Sequence, residues 1–588
     1  MNERAQRVLA ARGKLPLDLL IEGAQLVNVF TGEIYPADIG IAGGYVAHAG
    51  EPGWSGCEPR QRLNAEGRFA VPGLVDTHVH IESSMLSPTE FAAAVVPRGT
   101  TTVVIDPHEI GNVLGMRGVR YMLEASSGLP LRVYAQVPSC VPAVPALEAA
   151  GADFGPREIA QMLTWERVIG LAEVMDYVGV VQQTERMTDI LDAARAADTV
   201  LSGHSPGVRG RDLAAYLMAG PDSDHEALDQ AELLEKLRIG MTVEGRVSSF
   251  SDNMPALGRI VCQLGTVPPN LVMCTDDIFP EDLARNGHMD WVLRSAISAG
   301  ISPVQAVRAA TLQGAQRHRL REVGAIAPGK RADIVLTRSL DAFRAEKVFV
   351  AGELVACAGR MTVELPAEPH TLENENTVHL PHPPRREDFQ VAARPGHASE
   401  TVRVMRVRFS DWRRLLETVE MPVVDGILDV AAVGGVCLAC VLERHGRSGR
   451  SGFALVAGLG LRRGAVASTV AHDSHNLLVI GCNPDDMALA ARQLAACGGG
   501  ICCTEGGRVL ALLALPIAGL MSPLPLAELV PVVETVSAAL RGLGIQMDQP
   551  IAAIIGMALP VIPDYGVTDM GLVDVGRQCV IPLWADAE

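Results

Sequence analysis

The chain has 588 residues, 48% hydrophobic and 20% charged, which is ample apolar material for more than one buried core. A formal net charge of −18 repels phosphate backbones, which argues against nucleic acid and for a small neutral or cationic substrate. No run of about 18 uninterrupted apolar residues occurs, so a membrane span is not expected.

The opening MNERAQRVLAARGKLPLDLLIEG is charged and lacks the apolar segment of a secretory signal, so a cytoplasmic location is expected. Over 17–50, short β-like pieces (LDLLIEGAQLVNV, DIGIAGGYVAHAG) with Gly turns predict a small all-β unit. From 71 to 320 the pattern changes. The β-rich runs FAVPGLVDTHVH, TTVVIDP, LRVYAQVP, VIGLAEVM, TVLSGHSP, SDHE, MTVEGRV and LVMCTDD alternate with segments of helical spacing such as RDLAAYLMAG. Eight such units in this length match the rhythm of a (β/α)8 barrel. The rival, a doubly wound open sheet, usually has a Gly-rich loop after its first strand, where this chain has DTHVH.

At 324–356 the chain is β-like again (GAIAPGKRADIVL, KVFVAGELVA). Residues 1–70 and 321–360 are therefore expected to pair into one composite β-sandwich, with the barrel of 71–320 inserted in it. The Pro- and charge-rich stretch within 361–400 reads as a linker, and 401–588 as a C-terminal α+β domain. The fold class is α/β, of TIM-barrel type. The 12 cysteines are scattered and read as reduced thiols. Cys437 and Cys440 form a Cys-x-x-Cys, but on a strand they face opposite ways, and no second pair lies nearby to complete a zinc site. They and the neighbours Cys502 and Cys503 are expected in the core.

His78 and His80 form an H-x-H at the end of an apolar strand, where alternation puts both imidazoles on one face. Such a pair alone is often two surface residues. Position strengthens the signal: Glu173 ends the fourth run, His204 the fifth, His225 the sixth and Asp276 the eighth. In a β/α barrel the C-terminal strand ends converge on one mouth, so these six residues become neighbours. Four imidazoles and two carboxylates, with no thiolate, suit Mn2+, Fe2+ or Zn2+.

The runs PGLVDTHVHIESS, GLAEVMD, HSPG, SDHE, TDD and GAIAPGKRADIVL resemble the amidohydrolase superfamily. More narrowly, ESSMLSP, DPHEIGNVLG and HDSHN resemble bacterial adenine deaminases, and VAHDSHNLLVIG and LALPIAGLMS extend the likeness into the C-terminal region. The resemblance implies hydrolytic deamination of adenine to hypoxanthine and ammonia at a binuclear centre of two divalent cations, Mn2+ or Fe2+, with Zn2+ as an alternative. His78, His80 and Asp276 would hold one ion, His204 and His225 the other, and Glu173 would bridge them. A solvent molecule between two cations loses a proton near neutral pH, and Asp276 can carry that proton. Asp277 is expected to orient a neighbour.

Glu82, His108 and Glu109 follow the first two strands on the same mouth and are candidates for the acid that protonates the purine ring or for purine contacts. Glu82 and His108 are assigned here to catalysis, and Glu109 with His472 and Asp473 to substrate binding. The HDSHN run also admits a further metal site or a hydrogen-bonded loop, and nothing in the spacing carries it to the barrel mouth. A cyclic amide hydrolase or a deaminase of a related aminopurine is the alternative activity. A non-catalytic scaffold would leave buried, unpaired carboxylates and imidazoles at high cost. The large extra domain suggests a homodimer.

Overall fold

The computed structural model describes residues 1–368, 372–409, 413–561 and 564–586. Apolar runs ending in polar residues fold as parallel strands in chain order. Strands β1 (Leu74–Val79), β2 (Thr100–Ile105), β3 (Arg132–Val137), β4 (Val168–Val174) and β5 (Val200–Gly203) hydrogen-bond side by side. Strands β6 (Ser223–Asp224), β7 (Thr242–Arg246) and β8 (Leu271–Cys274) form a second parallel group. At one seam Asp222 N–H donates to the Leu201 carbonyl at 3.1 Å. At the other, Asp276 N–H donates to the His78 carbonyl at 2.9 Å and His80 N–H to the Asp276 carbonyl at 3.2 Å. The result is a TIM-type barrel whose second seam runs through three of the expected site residues. β1 and β2 are buried along their whole length, as parallel strands covered by helices must be.

Strands from both sides of the barrel join in one mixed sheet of nine strands. The join is antiparallel: Ile334–Thr337 lies against Phe69–Pro72, with Ile334 opposite Pro72 and Thr337 opposite Phe69. Ile21, Ile39, Ile334 and Phe349 form its apolar centre.

The C-terminal region builds a second nine-stranded sheet, running in space from Ile427–Leu428 to Arg508–Ala514. Helix Pro484–Cys497 covers one face. It starts where the Asn483 side chain accepts from the amides of Asp485 and Asp486, and ends at the left-handed Gly498 (φ 85°). Cys437 and Cys440 on strand Val436–Leu442 are both buried, and they pack into separate apolar clusters on the two faces. The 361–400 stretch departs from a free linker: Val378 and Phe389 are buried in the C-terminal core, because apolar side chains are interspersed among its prolines.

This domain is tied to the barrel through the loops after β1 and β3. Ser522 N–H donates to the Met85 carbonyl at 2.8 Å and Ser87 N–H to the Ser522 carbonyl at 3.0 Å. Asn476 Nδ2 donates to the Ala149 carbonyl at 2.7 Å, and Arg447 Nη1 to that of Ala150 at 2.8 Å. Loop backbone that would otherwise need water is thus satisfied by the second domain. Among the described residues no helix is long and apolar enough to cross a membrane.

Candidate metal centre and active site

The six residues at the strand ends are brought together and buried. Glu173 stands at the centre. Its Oε1 lies 3.4 Å from His80 Nε2, 3.8 Å from His78 Nε2 and 3.7 Å from His108 Nδ1. Its Oε2 lies 2.6 Å from His204 Nδ1 and 3.3 Å from His225 Nε2. Each carboxylate oxygen therefore faces a different set of imidazoles. Asp276 Oδ1 lies 3.2 Å from His80 Nε2 and 3.4 Å from His78 Nε2.

Backbone and buried acids aim these groups. His80 Nδ1 lies 2.9 Å from the Asp106 carbonyl, which can only accept, so Nδ1 carries the proton and Nε2 is directed at the carboxylates. Asp76, at the base of the site, accepts from the amides of His78 and Thr275 at 3.3 and 3.1 Å and from Thr275 Oγ1 at 2.5 Å. Burial raises the Asp76 carboxyl to about 7. Asp276 has a left-handed backbone (φ 60°), a conformation that Asp tolerates better than most side chains. That break in the extended chain ends the alternation expected for the Asp276–Asp277 pair. Both acids line the same cavity, and Asp277 accepts a hydrogen bond from Ser83 Oγ.

Electrostatics favour cations here. Burial opposes ionisation of Asp276, but the Arg246 charge and the hydrogen bonds from His78 and His80 hold its carboxyl well below the usual carboxylate range. Burial likewise opposes ionisation of Glu173, yet His204, His225 and His80 keep it low. Against their own burial, His225 is pushed up to about 10 by Glu173, and His80 and His204 are also raised. Two buried carboxylates thus attract positive charge strongly enough to protonate imidazoles, and a bound divalent cation would displace those protons. His78 Nε2 and His204 Nε2 are buried without a hydrogen-bond partner. Donor groups His78–His80–Asp276 and His78–Glu173–His225 each place one ligand atom per residue within 4.8 Å of the others. A hard, all-N/O donor set with orphaned imidazole nitrogens fits divalent metal.

Of the remaining candidates, His108, Glu109, His472 and Asp473 line the cavity over this centre, and Glu82 is not among its lining residues but accepts from the Ile110 N–H at 3.3 Å. His108 Nδ1 lies 3.4 Å from Asp106 Oδ2, and its Nε2 lies 3.6 Å from Asp473 Oδ1. Glu109 Oε1 lies 3.2 Å from His472 Nδ1. Glu82 is buried; burial and then the Glu109 charge raise its carboxyl to about 7. His472 and Asp473 come from the C-terminal domain and, with Arg414 and Leu559, roof a cavity of about 270 Å3 over the candidate metal-binding residues.

Several residues here were missed from sequence. Arg246 ends β7, which like β3 contributes no candidate in the sequence reading, and its Nη1 lies 2.6 Å from Asp276 Oδ2 while also pairing with Glu226. Strand-end position would have found it. Asp106 follows β2 and stands 3.4 Å from His108 Nδ1, and Phe250 follows β7 and lines the cavity. Arg414 carries no sequence signal: it lies on a C-terminal strand and donates to the carbonyls of Gly556 and Tyr565 at 2.5 and 3.0 Å.

Fold and donor set together define a metal-dependent amidohydrolase, and residues 69–355 match the amidohydrolase family. Residues 415–579 match the adenine deaminase C-terminal domain. Similar along nearly the whole chain are the adenine deaminases of Moorella thermoacetica (41% identity over 569 residues, 96% of each chain) and of Methanothrix thermoacetophila (41% over 581 residues, 98% of this chain and 99% of that one). The chain belongs to the adenine deaminase family. Among solved structures, a β-aspartyl dipeptidase from Fervidobacterium islandicum AW-1 is similar at 17% identity with a TM-score of 0.45, covering 60% of this chain and 99% of that one.

Proposed function

We propose that the protein catalyses the hydrolytic deamination of adenine to hypoxanthine and ammonia, with six barrel residues holding two divalent cations. The observation that carries the reading is convergence: all six donors line one region of the barrel mouth, and the roof over it comes from the domain similar to the adenine deaminase C-terminal domain. His78, His80 and Asp276 would hold one ion and His204 and His225 the other, with Glu173 between them, since its two oxygens face different imidazoles. Mn2+ or Fe2+ suits this donor set, with Zn2+ as the alternative.

When bound, such ions lower the pKa of a solvent molecule until it is a nucleophile at neutral pH. The chain's own residues do the rest. Asp276, held ionised, accepts the proton of the attacking water and passes it to the amino group at C6, which leaves as ammonia. Protonation of the ring nitrogen beside C6 makes that carbon electrophilic. Glu82, whose raised pKa keeps a proton available near neutrality, and His108 are assigned to that proton transfer. Glu109, His472 and Asp473 bind the purine, and the roof they help form limits water in the cavity.

The same reading divides the chain into the composite β-sandwich expected of 1–70 with 321–360, whose strands form a single mixed sheet, the barrel (71–320), the 361–400 linker and the C-terminal α+β domain (401–588). A cytoplasmic location is supported by 12 free thiols. A homodimer is supported by Val509 and Leu510, which are exposed on the edge strand of the C-terminal sheet. The test is to strip metal, add back Mn2+, Fe2+ or Zn2+ in steps, and assay ammonia release from adenine. Activity should rise to a plateau at two equivalents. A plateau at one equivalent, or release of ammonia from other aminopurines but not from adenine, refutes the proposal.

A further inference from the structure

The loop between strands Ala465–Ser468 and Leu477–Gly481 carries two histidines, and the proposed reaction uses only His472. His475 is fully buried with a left-handed backbone (φ 51°). Its Nδ1 accepts the Ala471 N–H at 3.2 Å. An amide can only donate, so Nδ1 must offer its lone pair, and the ring proton of the neutral imidazole sits on Nε2. That nitrogen is buried with no hydrogen bond made, and the nearest carboxylate oxygen it faces is Glu109 Oε2 at 3.5 Å. Glu109, His472 and His475 have the look of a third metal site. The tautomer argues otherwise, because a metal at Nε2 would need that nitrogen deprotonated while Nδ1 is already engaged as an acceptor.

The arrangement works as a clamp between domains. Glu109 Oε2 faces the His475 Nε2–H, while Oε1 lies 3.2 Å from His472 Nδ1 and 3.1 Å from Ser83 Oγ, whose one proton it shares with Asp277. The buried carboxylate is thereby fixed from both domains. A His472 proton on Nδ1, directed at Glu109, leaves Nε2 as the free ring atom on the cavity wall. The loop is itself fixed from behind: the fully buried Arg444 donates to the His475 carbonyl and, at 3.0 Å, to that of Ala518, and His445 Nε2 lies 2.9 Å from the Ser474 carbonyl.

We propose that His475 is a positioning residue for the purine pocket: its Nε2–H anchors Glu109, and Glu109 orients His472 toward the base, so the C-terminal domain completes the active site of the barrel. This rests on the reading of His472 as a purine contact.

Two isosteric variants separate this role from mere support of the loop. His475→Gln keeps an N–H donor near the Nε2 position but loses the acceptor for Ala471; His475→Asn keeps that acceptor and no longer reaches Glu109. With metal-loaded full-length protein and adenine, His475→Asn should lower kcat/KM about 10- to 100-fold, mainly through KM, as expected for a lost hydrogen bond to a charged group. His475→Gln should stay within a few-fold of the parent, and His472→Ala/His475→Asn should be no worse than His472→Ala alone. Metal content should be the same in all. A native-like His475→Asn beside a defective His475→Gln would mean a loop cap only. Additive losses in the double variant, or loss of a metal equivalent on changing His475, would equally overturn the proposal. A native-like His472→Ala would instead remove the underlying assignment of His472, and the proposal with it. Should the His475 variants not fold, Glu109→Ala tests the clamp from the barrel side: each single change costs activity, since both residues face the purine, but His472→Ala should cost less in the Glu109→Ala background than in the parent, and equal costs in the two backgrounds refute the coupling.

Discussion

Replacing Glu173 by glutamine should empty the metal centre while leaving the barrel folded. The side chain keeps its volume, but one oxygen becomes an NH2 that donates where an acceptor stood, and the charge disappears. Glu173 faces imidazole nitrogens at 2.6 to 3.8 Å, so any cation held by those imidazoles sits within a few ångströms of its charge. At an effective dielectric of about 20, two unit charges 3.3 Å apart interact by ~5 kcal/mol, and a divalent ion gains more. Much of that is offset by the cost of burying the carboxylate, which burial alone would drive toward the neutral form. If a net ~3 kcal/mol per ion survives, metal binding weakens by roughly 100-fold for each ion whose imidazoles Glu173 faces. The assay is elemental analysis after dialysis against a graded chelator series, run beside ammonia release from adenine. Glu173→Gln should lose both metals at chelator concentrations that leave the parent loaded, with activity falling in proportion. Full metal content at parental chelator resistance would show that Glu173 is not between the ions. Loss of one ion with the other retained would show that it serves only one imidazole set.

Asp276→Asn removes the proton carrier but keeps one oxygen, so turnover should fall about 100- to 10,000-fold with a smaller change in KM. Asp277→Asn should cost far less, because Asp277 accepts from Ser83 Oγ and an amide oxygen can still accept that hydrogen bond. Steady-state kinetics on both decide the assignment, and the reverse order would refute it. Glu148 offers a stability test away from the metal. Burial and then the Asp473 charge push its carboxyl up to about 8, from an ordinary glutamate value of 4.5. A raised acid stabilises fully below pH ~4.5, and that contribution is lost as pH rises toward about 8, at up to ~1.4 kcal/mol per pH unit. The Tm of Glu148→Gln relative to the parent should therefore climb between pH 5 and 8 and then level off. Parallel Tm curves would refute the neutral buried carboxyl.

Much of the barrel was legible because its signal is local. An apolar run buried on both faces, closed by polar residues, is written in consecutive positions, and the fold rule that parallel strand ends share one mouth brings five such closings together. The convergence of His78, His80, Glu173, His204, His225 and Asp276 was readable on that ground, and that of Arg246 follows from the same rule. What only the tertiary structure decided depends on through-space partners. The left-handed Asp276 ends strand alternation so that Asp277 turns to the same cavity, and no pattern in CTDD announces that turn. Val378 and Phe389 look like residues of a proline-rich connection until the C-terminal sheet supplies a face to cover. His472 and Arg414 reach the barrel mouth only because the loops after β1 and β3 give their backbone hydrogen bonds to the second domain. Those contacts join residues hundreds of positions apart, where hydrophobic periodicity carries no information about which surfaces meet.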